Sequence, residues 1–184
     1  MNVNESVQGF VQTTVTQVRR NGESYDQCQR FVEQELESAL TQYRALDRVN
    51  MTARLLRDKM DWLLRRYQNY CIREQFGGHY REVGVSKKDC DFEHVLPESV
   101  VRDLLIHQRI TIAQAMNSPT CMLSRRNHRE LNSTVLGRTT PDIVQFWQRY
   151  QSLGVEIETH RGDAVDLETW TLADHYSYFG IQDQ

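Results

Sequence analysis

The residues best suited to chemistry lie between Cys90 and Leu131. Glu93 and His94 stand side by side in FEHVLP, which reads as the end of a short strand closing on Pro97. Asn117 follows in the connection, TCMLS reads as a further strand, and RRNHRELN reads as a helix bearing Asn127 and His128. An imidazole with an unperturbed pKa near 6.5 is largely neutral at cellular pH and can take a proton from water. A mixed carboxylate and imidazole set leaves room around a divalent ion for water and phosphate oxygen. On a regular strand Asp91 and Glu93 point to one face and His94 to the other.

The order acid-His-x-x-Pro, then Asn before a strand, then His in the helix after it resembles the HNH nuclease family. Glu93-His94 with Pro97, Asn117, Leu123-Ser124 and His128 occupy the places of its motif, over about 40 residues. The resemblance implies a ββα-metal core and a metal-dependent endonuclease that leaves a 5′-phosphate and a 3′-hydroxyl on DNA. It implies that Glu93 and His128 hold one divalent ion, with Asp91 open as the acidic ligand in place of Glu93 and Asn127 in place of His128, that His94 is the general base, and that Asn117 orients the His94 ring. Mg²⁺ or Mn²⁺ suits such an open site, with Zn²⁺ and Ni²⁺ as alternatives. The sequence also departs from the family. Ser124 and Asn127 stand where many members carry zinc-binding thiols, ESVVRDLL replaces the Gly-Gly after the proline, and Glu93 replaces the commoner Asp.

The elements that must position these residues are mostly helical. Asn4–Arg20 carries Val7, Phe10, Val11, Val15 and Val18 at helical spacing. Ser24 is a suitable N-cap for a second helix with Phe31, Val32, Leu36, Leu40 and Tyr43 on one face. A third helix is expected from Asn50 or Thr52 to about Arg73, broken by Gly77-Gly78. Strands follow around Tyr80–Val85 and Cys90–Leu96, joined by a polar turn, then short helices near Glu98–Ile106 and Thr111–Met116. PDIVQFWQRYQSL, from Pro141 to Gly154, reads as a last helix before an acidic tail. The expected class is α+β, mainly helical, with a helical region over 1–75, an HNH-like core over 76–140, and a C-terminal helix and aromatic tail over 141–184.

Composition bounds the function. The net charge of −3 excludes an indiscriminate nucleic-acid coat protein. Charge is uneven, however: the segment 48–73 carries +5, 125–138 carries +3, and the tail from Gly154 carries −6. Arg54, Arg57, Arg65, Arg66, Arg125, Arg126 and Arg129 are thus the candidate phosphate contacts. Four cysteines without a C-x-x-C pair, no signal-peptide core and no long apolar run point to a cytoplasmic protein without membrane contact, host-cytoplasmic if bacteriophage-encoded. Two other functions fit the same sequence. One is a non-catalytic interaction protein with a degenerate core, engaging a second copy or another protein through the helical half or acidic tail. The other is a metal-independent DNA binder. Trp170, Tyr176 and Phe179 suggest that the tail completes the core.

Overall fold

The computed structural model describes residues 24–47, 50–134, 140 and 142–181. The helix expected over Asn4–Arg20, together with Arg48, Arg138 and Pro141, lies outside them. The chain is α+β and mainly helical, built around one five-stranded mixed sheet.

Ser24 opens α1 (Tyr25–Arg44) with a capping box: its hydroxyl accepts from Gln27 N, and the Gln27 side chain accepts from Ser24 N. Cys28, Val32, Leu36, Ala39 and Leu40 form the buried stripe. Phe31, expected on that face, is instead 55% exposed, because one residue is a step of about 100° around a helix. Asn50 caps α2 (Met51–Tyr67), which packs against α1 through Leu56, Met60, Leu63 and Leu64.

The third expected helix does not run evenly to Arg73. It widens into a π turn at Gln68–Ile72, resumes as α3 (Arg73–Phe76), and ends at Gly77 with a φ of 80°, a conformation glycine adopts without strain. The wide turn places Gln68, Cys71 and Ile72 on the buried side together. Gln68 Nε2 donates there to Ser118 Oγ (2.6 Å) and Met116 O (3.2 Å), tying the helical half to the segment before the next strand.

Five strands follow: β1 (Tyr80–Glu82), β2 (Cys90–His94), β3 (Thr120–Ser124), β4 (Ile157–Thr159) and β5 (Ala164–Val165). They lie in the order β2-β3-β1-β4-β5, which makes β2 an edge strand. β2 is antiparallel to β3, with Glu93 opposite Cys121 and His94 opposite Thr120, while β3 is parallel to β1. The strands expected at Tyr80–Val85 and Cys90–Leu96 form in shortened versions, and β3 lies between them. The β2–β3 connection holds α4 (Glu98–Ile106) and α5 (Ile112–Met116), the latter opened by a Thr111–Gln114 capping box. β3 passes directly into α6 (Arg125–Ser133), where Ser124 Oγ accepts from Asn127 N at 3.3 Å.

The helix expected over 141–153 shrinks to α7 (Gln148–Gln151), preceded by turns. Asp142 Oδ1 accepts from Val144 N and Gln145 N, the bonds of an N-cap, but turns rather than regular helix follow up to Gln148. Phe146, Trp147, Arg149 and Tyr150 are all buried. The tail closes the core with α8 (Leu172–Phe179), capped by Thr171 and Asp174 and ended by Gly180. Tyr176 and Phe179 are buried, and Trp170 Nε1 donates to Tyr80 Oη, which lies 2.8 Å from His175 Nδ1. The other ring nitrogen, Nε2, donates to Asn117 O at 2.8 Å, so this histidine is neutral with Nδ1 as the acceptor. Burial lowers its pKa to about 3. Among the described residues no helix is long and apolar enough to cross a membrane.

Candidate active site

Three of the residues singled out by sequence meet on one face of β2. α6 starts immediately after β3, so its second turn lies against the neighbouring β2, and His128 projects between the alternate residues Asp91 and Glu93. Asp91 Oδ2 lies 3.2 Å from His128 Nδ1, and Glu93 Oε2 lies 3.0 Å from Nε2. The hydrogen bond with Glu93 is the main cause of a raised His128 pKa; burial opposes it, and the charge of Glu93 and Asp91 adds to it. Without a metal the ring is therefore biased toward imidazolium, donating to a carboxylate from each nitrogen.

Arg149 completes this face, and the sequence reading did not single it out. Its side chain is only 1% exposed. Nη2 donates to Glu93 Oε1 at 3.1 Å, and Nη1 donates to Val95 O at 2.7 Å and more weakly to His94 O at 3.4 Å. The guanidinium thus fixes one oxygen of Glu93 and leaves the other for His128. A signal for it existed: an arginine inside FWQRY, between buried aromatics, has to find an anion or several carbonyls. Arg125 is at the rim, with Nε 3.7 Å from Asp91 Oδ1 and Nη2 donating to Lys88 O.

The geometry of the donor set limits how it could hold a divalent ion. Among the described residues no three His, Cys, Asp or Glu side chains converge on one metal position. This follows from the contacts, because Asp91 and Glu93 sit on opposite nitrogens of one ring. A two-ligand site does fit. Glu93 Oε2 and His128 Nε2 are separated by 3.0 Å, the span of adjacent octahedral ligands at about 2.1 Å each. Asp91 would then keep the Nδ1 proton and fix the ring's orientation, as carboxylates behind metal-bound histidines do. A hard cation that retains several waters matches such a set.

His94 is elsewhere. It shares the other face of β2 with Phe92, the two rings 5.3 Å apart. Its Nδ1 lies 3.4 Å from Glu98 Oε1, which also accepts from Arg65 Nε at 2.8 Å. Burial lowers the His94 pKa, and the charges of Glu98 and Glu93 only partly offset this. Its Nε2 is buried and has no hydrogen-bond partner among the described residues.

Several expected contacts are replaced. Asn117 does not hydrogen-bond His94: its Nδ2 donates to Ala113 O at 2.9 Å, closing the short helix α5. Glu98, one turn beyond the strand end, stands beside the His94 ring instead. Asn127 Nδ2 donates to Glu82 Oε1 at 2.8 Å, and Glu82 Oε2 accepts from Ser124 N, so Asn127 anchors α6 to β1. Of the candidate phosphate contacts, Arg57 pairs with Asp103 and Arg65 with Glu98, whereas Arg54, Arg66, Arg126 and Arg129 are exposed. Comparison with known proteins returns no family model, no curated protein and no solved structure that matches the chain.

Proposed function

We propose that this chain is a metal-dependent endonuclease that hydrolyses DNA phosphodiester bonds, with β2, β3 and α6 as an HNH-like ββα core. The observation that carries this reading is the placement of His128 between Asp91 and Glu93, with one Glu93 oxygen already held by the buried Arg149. A bound Mg²⁺ or Mn²⁺ would neutralise charge on the phosphate and stabilise the leaving oxygen. Glu93 and His128 would hold it, Asp91 would orient the imidazole, and Arg149 would keep Glu93 from swinging away. His94 has the protonation state of a general base. Its ring is on the opposite face from His128, so this role requires the scissile phosphate to lie across the open edge of β2.

Plasmid nicking in the presence of Mg²⁺ or Mn²⁺ tests the reading. We expect nicking that EDTA abolishes and that His128→Ala lowers by about a hundredfold or more, a size typical of losing a metal ligand or its orienting partner. An absence of metal-dependent nicking, or unchanged nicking by His128→Ala, overturns it.

One observation favours a second reading, a non-catalytic interaction protein on the same core: Arg149 already supplies Glu93 with a buried cation. Calorimetry separates the two, since this reading expects no divalent-ion binding that Glu93→Gln removes.

A further inference from the structure

Two arginines of the helical half, and Arg102 of α4 beside them, are held in ion pairs. Arg57 binds Asp103, Arg65 binds Glu98, and Arg102 bridges Asp61 and Asp103. Arg66, Arg73 and Lys87 differ: all three are exposed, and none forms an ion pair among the described residues. They converge on one groove of about 700 Å³, lined also by Tyr25, Asn69, Tyr70 and Glu74. Among the described residues, three cations face a single acid there.

Tyr25 and Tyr70 line the groove, and Trp62 stands beside it across Arg66. Trp62, Arg66 and Tyr70 follow at spacings of four along α2 and the π turn, and the Arg66 guanidinium lies 5.8 Å from the Trp62 ring and 5.4 Å from the Tyr70 ring. Arg66 Nη1 also donates to Tyr70 Oη at 2.6 Å. Trp62 is 55% exposed and Tyr70 39% exposed, so ring faces and cations share one surface. The groove ends at β2: the Arg73 guanidinium lies 5.7 Å from the Phe92 ring, and Lys87 begins the turn that leads into the strand.

We infer that this groove binds a single strand of nucleic acid, with phosphates on Arg66, Arg73 and Lys87 and bases stacked on Tyr70 and Trp62. Charge selects a polyanion, and the rings select unpaired bases, because a duplex buries its base faces and needs only the cations. The inference deepens the nuclease reading by naming the form in which substrate reaches β2. It rests on that reading only for the fate of the bound strand.

Fluorescence anisotropy of a labelled oligothymidylate of about twenty nucleotides, in EDTA so that nothing is cut, tests binding apart from cleavage. The full chain should bind the strand more tightly than a duplex of equal length. Three phosphate contacts at about −0.7 each predict a slope of log K against log salt near −2. Arg66→Ala/Arg73→Ala should weaken binding about tenfold or more, and Tyr70→Ala by about fivefold, with Tyr70→Phe close to the parent. Arg57→Ala is the control and should bind as the parent does, as should His128→Ala, which fails only in nicking. All these side chains but Arg57 and His128 are exposed, and thermal melting checks that each variant folds. Equal affinity for duplex and strand, no binding at all, or parental binding by Arg66→Ala/Arg73→Ala overturns the inference. Binding that persists in a protein that never nicks would leave the groove standing and remove the nuclease.

Discussion

The two faces of β2 solve the problem of a polar side chain in opposite ways. On one face, Asp91 and Glu93 draw cations from outside the strand: His128 from α6, Arg149 from α7, and Arg125 at the rim. On the other, Phe92 and His94 are met by burial and by Glu98 from α4, and His94 is kept neutral. Two histidines on opposite faces of one strand are pushed in opposite directions, His128 upward by its carboxylates and His94 downward by desolvation. A motif that reads as one acid-histidine unit in sequence is thus divided by the pleat. Only the carboxylate face sets a histidine between two carboxylates.

The largest effect should come from the buried pair on the carboxylate face. Arg149→Met leaves Glu93 with one hydrogen-bonded oxygen and the His94 and Val95 carbonyls without their donor. We expect a loss of about 3–5 kcal/mol in urea unfolding, and partial recovery in Glu93→Gln/Arg149→Met, where no charge is stranded. A loss below about 1 kcal/mol would show that the cation does not hold this face.

Next in size is His128→Asn, which removes a ring hydrogen-bonded to two carboxylates. The expected cost is about 1.5–3 kcal/mol at pH 5.5, and it should shrink by pH 8.5. The sign follows from the raised pKa of His128. Its charged form stabilises the fold fully below the unfolded value near 6.5, and that contribution is lost as pH rises through the folded value. Unfolding curves at the two pH values measure it; an equal cost at both would mean that the ring is held without its charge.

Local elements were legible because local chemistry dictates them. Ser24 caps the helix it is expected to cap, the helices expected from Asn50 or Thr52 and near Thr111 begin there, and TCMLS feeds α6 without a break. What stayed hidden depends on contacts between distant segments. The π turn at Gln68–Ile72 reflects Gln68 reaching Ser118, a partner no local pattern announces. Alternation along β2 correctly separated Asp91 and Glu93 from His94. It could not show that Arg149 would arrive beside Glu93, or that Asn117, free to turn toward His94, would instead close α5 through Ala113. The tail's aromatics were legible as core residues, but the chain of hydrogen bonds from Trp170 through Tyr80 and His175 to Asn117 was not.

The smallest effect belongs to the other face. Glu98 is partly buried, which would raise its pKa, but His94 and Arg65 outweigh burial and hold it lowered. Its charge in turn raises the His94 pKa against the stronger effect of burial. Glu98→Gln removes that support, so His94 should titrate at a lower pH than in the parent while His128 is unmoved. The stability cost near neutral pH should be within about 1 kcal/mol, as for a half-exposed ion pair with Arg65. Because His94 is lowered, its neutral form favours the fold above the unfolded value near 6.5, and that contribution is lost as pH falls through the folded value. Histidine ring-proton NMR across pH 4 to 9 resolves both groups in one titration. If His94 titrates above His128, or if Glu98→Gln moves His128 rather than His94, then the two faces are not electrically distinct, and the division of the motif by the pleat is wrong.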